Sequence, residues 1–256
     1  MNETGRDNAR RTVLAILAHV ALILAWYLFV TLGNVPKFVM PSPGATLDAL
    51  LQPNYNWWAN VAVTATEIFG GYFLALVGGV ALALAFTWSK TLESFFLPIL
   101  VSLNMIPKVA LGPLIIVWFK YGVFPNTIMA FSICVFPILL TTARGLREVE
   151  PELLDLVRSL KGSRWQLFTK IQLPGALPYI FAGMKVAAIL AVAGAIVGEF
   201  LGSDKGLGYL MLQVQVTLDT PAMFMAVLLI TLIGMILYGS VLLLERLLVV
   251  KDARIA

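Results

Sequence analysis

The chain alternates apolar runs of membrane-spanning length with short polar stretches, and only one polar stretch, residues 144–178, is long. A hydrocarbon core about 30 Å thick takes roughly 20 apolar residues as a helix, and it admits only helices or closed barrels because no water is present to satisfy backbone groups. Runs at residues 12–32, 60–88, 92–119, 124–143, 178–201 and 222–248 reach that length, whereas a barrel would show short strands of alternating polarity. The expectation is an all-α membrane protein, a polytopic bundle of about six transmembrane helices forming one domain over residues 1–256. Pro98, Pro107 and Pro113 interrupt the third run, and each removes a backbone donor, so that span should kink or split into two half-helices.

Composition agrees: 60% of the residues are hydrophobic and 12% charged, against about 25% charged in soluble domains. The net charge of +4 is no sign of a nucleic-acid partner, because what matters is where the basic residues fall. Thirteen of the 18 lysines and arginines (Arg6, Arg10, Arg11, Lys90, Arg144, Arg147, Arg158, Lys161, Arg164, Lys170, Arg246, Lys251 and Arg254) fall on the side of the termini. Lys37, Lys120 and Lys205 fall on the other, and Lys108 and Lys185 lie within spans. Positive loops stay inside, which places both termini and the 144–178 insert in the cytoplasm. The first apolar run is too long for a signal core and reads as the first helix. Cys134, the only cysteine, reads as packing, and the only histidine, His19, carries no assigned role; neither suggests a metal site.

Two outer loops flank the spans. Residues 33–59 contain a short helix near 44–51 and end in Trp57-Trp58, a pair suited to the water–lipid interface. Residues 203–221, with Gly206, Gly208 and Asp219-Thr220-Pro221, read as an irregular lid. Small-residue ladders at spacing four, Gly71/Ala75/Gly79/Ala83 and Gly183/Ala187/Ala191/Ala195, let helices approach closely, within the chain rather than at a subunit seam.

The insert carries its own pattern. Glu150, Glu152 and Asp155 precede Leu153, Leu156, Val157 and Leu160 at helical spacing, Gly162 and Ser163 break the helix, and a second piece with Trp165, Leu167, Phe168 and Ile171 ends at Leu173-Pro174 and Pro178. The apolar stripe either lies on the bundle's own base or docks a partner.

Asp155-Leu156-Val157, then Gly162, then Ile171-Gln172-Leu173-Pro174 resembles the cytoplasmic EAA loop of ABC importer permeases. Ser163-Arg164-Trp165-Gln166-Leu167-Phe168, Gly198-Glu199-Phe200-Leu201-Gly202, Gly206-Leu207-Gly208-Tyr209, Met40-Pro41-Ser42-Pro43 and Ile106-Pro107-Lys108-Val109 are similar to the nitrate, sulfonate, taurine, bicarbonate and thiamine-pyrimidine branch. The resemblance implies a bacterial inner-membrane permease of an ATP-driven, binding-protein-dependent importer. Asp155, Gly162, Ser163, Arg164, Ile171, Leu173 and Pro174 would couple it to cytoplasmic ATPase subunits. A second permease copy would complete the path, an external solute-binding protein would deliver a small polar solute, and ATP and Mg would be bound by the ATPase, with no cofactor in this chain. Two departures stand out: Asp155 replaces the usual Glu, and Lys161 occupies the usual Gly position, with Gly162 one place later, so the turn is expected to shift slightly.

No Gly-rich phosphate loop ending in Gly-Lys-Ser/Thr is present, so ATP is handled elsewhere. Charges inside a bilayer cost about 2.5–3.5 kcal/mol each on insertion scales and face protein, water or solute. Lys108, after Pro107 and beside Asn104 and Met105, either enters the translocation path or pairs with Glu67 or Glu199; Glu199 either serves an outer gate or a structural pair; Lys185 snorkels to the interface. A faint likeness of Leu218-Asp219-Thr220-Pro221 and Glu67 to pyrimidine and flavin vitamin members points the solute that way. The alternative is a secondary transporter with midplane charges, whose inverted repeats are not evident, and a membrane enzyme lacks a nucleophile and base placed together.

Overall fold

A computed structural model describes residues 3–148 and 151–249; Glu150, Lys251 and Arg254 lie outside them. No strand occurs among the described residues. The helices are α1 (Glu3–Leu32), α2 (Pro43–Ala49), α3 (Trp57–Trp88), α4 (Lys90–Met105), α5 (Lys108–Phe119), α6 (Val123–Arg147), α7 (Pro151–Ser159), α8 (Arg164–Leu167), α9 (Leu173–Gly202), α10 (Leu207–Val216) and α11 (Thr220–Leu248). Among the described residues four helices are long and apolar enough to span a membrane, and a fifth span results if α4 and α5, which meet at 88°, are counted as one broken crossing. Within α1 the stretch Ile16–Leu32 is apolar. The break at Pro107 follows the proline argument, since Ile106 before it takes an extended ψ of 125°.

Two compact units result, one of Met1–Trp57 with Leu210–Leu228 and one of Trp58–Tyr209 with Leu229–Ala256. In the first, side chains tie down the loop after α1. The Trp26 indole donates to Pro41 O at 3.0 Å and its ring lies 5.7 Å from Phe224. Ser42 caps α2, accepting from Ala45 N, and Thr220 donates to Phe38 O at 2.7 Å. Tyr55 donates to Asp219, whose other oxygen accepts from Ala222 N at the start of α11. The tryptophan pair divides: Trp57 is buried with its indole donating to Ala49 O, while Trp58 stays exposed. Only Trp58 has the exposed placement anticipated for both.

In the second unit α6 runs between α3 and α9. Both small-residue ladders serve this packing: Gly71 lies on Ala130 and Gly79 on Ile138, while Gly183 meets Thr141, and Gly194, beside the second ladder, meets Ala130. Helices in lipid gain little from apolar burial, so backbones brought this close supply the dispersion contacts that hold them. Cys134 is buried in this seam, its thiol donating to Ala187 O, and α5 reaches α9 through Gly112, which leaves room for Leu201.

The insert departs from expectation in one respect. Leu173-Pro174 and Pro178 do not end the second helix; Arg164–Gly202 is continuous. One π-helical turn, Phe168–Gln172, precedes Pro174 and accommodates the residue that cannot donate.

Candidate functional site

Asn104, Met105, Pro107 and Lys108 gather at the bend between α4 and α5. The first three are exposed and Lys108 is half-buried, with Nζ donating to Leu103 O at 3.1 Å across the break. No ion pair joins Lys108 to Glu67 or Glu199 among the described residues, so the pairing weighed for it is not found. The acidic residues sit elsewhere, in a closed polar cluster.

Glu67 and Glu199 are 0% and 1% exposed. Glu67 projects from α3 and accepts from Asn126 Nδ2 of α6 at 2.8 Å. Glu199, near the end of α9, accepts from the Thr64 hydroxyl at 2.5 Å through Oε1 and from the Gly208 and Tyr209 amides through Oε2. Thr64 Oγ1 in turn accepts from Leu207 N at 2.8 Å. Three first-turn amides of α10, which have no intrahelical partner, thus find acceptors on Glu199 and Thr64, and the carboxylate sits at the favourable end of the helix dipole. This seat is why residues 207–216 are a helix and not the irregular lid anticipated. Gly206 leads into it at φ +109°, where a Cβ would collide with the Glu199 carboxyl, and its N–H donates to Asn60 Oδ1.

Lys185 is a further correction. It does not snorkel: its Nζ lies 3.2 Å from Glu245 Oε1, with 15% and 6% of the two side chains exposed, so the pair joins α9 to α11. Thr64, Asn126 and Glu245 went unremarked in the sequence. Thr64 stands one turn from Glu67, and Asn126 and Glu245 are polar residues inside apolar runs, which was the available signal.

The elbow of the insert is built from caps. Ser163 and Gln166 form a capping box at the start of α8, Gln166 N to Ser163 Oγ at 3.2 Å and Ser163 N to Gln166 Oε1 at 2.8 Å. At the end of α7, Gly162 N donates to Val157 O at 2.8 Å and Lys161 takes φ 53°. This is a Schellman closure with Lys161 in the left-handed position usually given to glycine. The left-handed position is Lys161 and not Gly162, where glycine serves instead to leave room, since a Cβ there would lie 2.6 Å from Val157 Cγ1. Asp155 and Arg164 are exposed, Ile171 and Leu173 half-buried and Pro174 exposed. Leu153, Leu156 and Leu160 are 38%, 53% and 73% exposed, so the stripe is not buried on the bundle's own base. Nearby, Arg147 of α6 pairs with Glu93 of α4, and Arg144 bonds Glu148 at 3.0 Å, which holds the Glu148 carboxyl below its usual range.

Residues 71–250 match the family described as binding-protein-dependent transport system inner membrane component. A probable ABC transporter permease of Haemophilus influenzae is 36% identical over 86% of this chain and 90% of its own length. The riboflavin transport system permease RibX of Chloroflexus aurantiacus is 36% identical over 91% of this chain and 87% of its own. Among solved structures, a chain of the inward-facing MetNI methionine ABC transporter aligns with a TM-score of 0.51 and 20% identity, over 73% of this chain and 93% of that one, which is agreement in fold. The chain belongs to the binding-protein-dependent transport system inner membrane components, the permease subunits of ABC importers.

Proposed function

We propose that this permease imports a heteroaromatic vitamin or vitamin precursor of the flavin or pyrimidine type, and that it is driven through the α7–α8 elbow. As a permease it is a non-catalytic subunit: ATP is hydrolysed by a separate ATPase and solute arrives on a binding protein. A secondary transporter is not favoured. The observation that carries the coupling reading is the stripe Leu153, Leu156 and Leu160, left in the open on a helix rich in charge. Large apolar side chains exposed together at a helix face mark an interaction surface, and a cleft in the ATPase is the partner that fits.

In this reading two copies pair in the lipid bilayer around one path, with both termini and residues 144–178 in the cytoplasm, as the distribution of basic residues supports. Asp155, Gly162, Ser163, Arg164, Ile171, Leu173 and Pro174 shape the coupling surface. Exposed Asn104, Met105 and Pro107 and half-buried Lys108, where α4 breaks from α5, border the path, and Glu67 and Glu199 serve its gate. ATP and Mg stay with the ATPase. The solute class rests on the relationship to the riboflavin permease and on a side-chain inventory at the bend, where one cation stands beside an amide and a thioether, that does not demand an anion.

Two experiments test this. Leu156→Asp changes an exposed side chain and should weaken copurification with the ATPase by about 2 kcal/mol, roughly thirtyfold; unchanged assembly refutes the docking surface. With ATPase and binding protein co-expressed, labelled riboflavin or a pyrimidine should accumulate ahead of taurine, and preferential taurine uptake refutes the solute class.

A further inference from the structure

One carboxyl oxygen of the Glu67–Glu199 cluster is buried without a donor. Thr64 and Glu67 lie one turn apart on the same face of α3, and the Thr64 hydroxyl rests on Glu199, so both α3 side chains face the end of α9. Asn126, the donor to Glu67, packs against Gly198, the residue before Glu199, so the two carboxyls lie in one buried pocket. Glu67 Oε1 has the Asn126 amide, but Oε2 is fully buried and meets no donor. Glu199 already receives three donors, and an ionised carboxylate has about four acceptor sites. No lysine, arginine or histidine pairs with either carboxyl among the described residues. Other titratable groups on the packed helices have partners of their own: Tyr72 of α3 donates to Met184 O, Cys134 of α6 to Ala187 O, and Lys185 of α9 pairs with Glu245.

We propose that Glu67 carries a proton and donates it from Oε2 to Glu199, so that the two residues form a buried acid–carboxylate site. This satisfies Oε2, supplies the remaining acceptor site of Glu199, and leaves one negative charge, placed against the α10 amides. Glu67 is then a positioning residue acting on α10 through Glu199. The assignment holds whatever solute the permease carries.

Infrared spectra of the full permease, assembled with its ATPase in lipid nanodiscs, test it directly. Near neutral pH the wild type should show a carboxylic-acid C=O stretch that is lost in Glu67→Gln and retained in Glu199→Gln. Gln at position 67 keeps a donor toward Glu199, so hydrogen exchange across Leu207–Val216 should stay within about twofold of wild type, whereas Glu67→Leu should speed it about tenfold, the worth of one buried hydrogen bond. No acid band near neutral pH, a band that survives Glu67→Gln, or faster exchange in Glu67→Gln than in Glu67→Leu overturns the proposal. The infrared comparison of wild type, Glu67→Gln and Glu199→Gln stands even if Glu67→Leu does not assemble.

Discussion

Thr64→Val isolates what the α10 seat is worth, because valine matches threonine in shape and removes only the hydroxyl. That hydroxyl makes two bonds, accepting from Leu207 N at 2.8 Å and donating to Glu199 at 2.5 Å, at a position with no exposure. Losing the first strands a buried N–H, at about 1–3 kcal/mol, and losing the second removes a donor from a charged acceptor, at about 1.5–3 kcal/mol. The two share one oxygen, so their sum is not simply additive, and roughly 3–5 kcal/mol is the expected cost. Thr64→Ser is the control: it keeps the hydroxyl and loses one methyl, about 1 kcal/mol with its small cavity. Hydrogen exchange across Leu207–Val216 in nanodiscs reads the difference as opening of α10. The 2–4 kcal/mol gap between the variants corresponds to exchange roughly 30- to 1,000-fold faster in Thr64→Val than in Thr64→Ser. Equal protection in the two variants would mean that the seat does not hold the helix.

Gly206→Ala should cost more than about 2 kcal/mol by exchange over the same residues, since a φ of +109° disfavours any side chain and the new methyl meets the Glu199 carboxyl. Lys185→Met alone should destabilise the purified permease by about 3–5 kcal/mol by leaving Glu245 buried and unpaired, while adding Glu245→Leu should restore most of it; a double variant no better than the single would refute a pair between α9 and α11. Lys161→Gly should stabilise the elbow by about 1 kcal/mol, because glycine takes the left-handed position without the Cβ penalty, and slower proteolysis of the 144–178 segment checks it.

The spans were legible because their lengths are imposed by the bilayer, and the break in the third by Pro107. The elbow was legible because a helix-period stripe in a polar stretch is a local pattern. What failed depended on distance in the chain. That residues 207–216 are helical follows from Thr64 and Glu199, and Thr64 is 135 positions from Glu199, beyond any local period. Lys185 looked free to reach the interface because Glu245, its partner, was absorbed into an apolar run. Pro174 and Pro178 read as stops since proline usually is one, and a π turn just before them is not a pattern that composition announces. Lys161 illustrates the converse: the family's glycine position is occupied by a residue that pays the left-handed cost, so the backbone outlasts the residue type that normally specifies it.

These contacts also distinguish closely packed helices from a bent pair. α3 and α9 are clasped at both ends: the Phe168 ring lies 5.7 Å from Trp88 at one, and Thr64 holds Glu199 at the other. Between the clasps, Gly71, Gly79, Gly183 and Gly194 lie close on α6, against Ala130, Ile138 and Thr141. Since Arg164–Gly202 is one helix, about 58 Å long at 1.5 Å per residue, the Ser163 cap and Glu199 stand near opposite ends of one continuous element whose one irregular stretch is the Phe168–Gln172 turn. The α4–α5 segment is held by the Glu93–Arg147 pair to α6 and by Gly112 against Leu201 of α9. It has an 88° bend, α4 has no buried residue, and across Pro107 the Lys108 ammonium holds a single carbonyl. Asn104, Met105 and Lys108 thus stand, exposed or half-exposed, at a sharp break beside three closely packed helices.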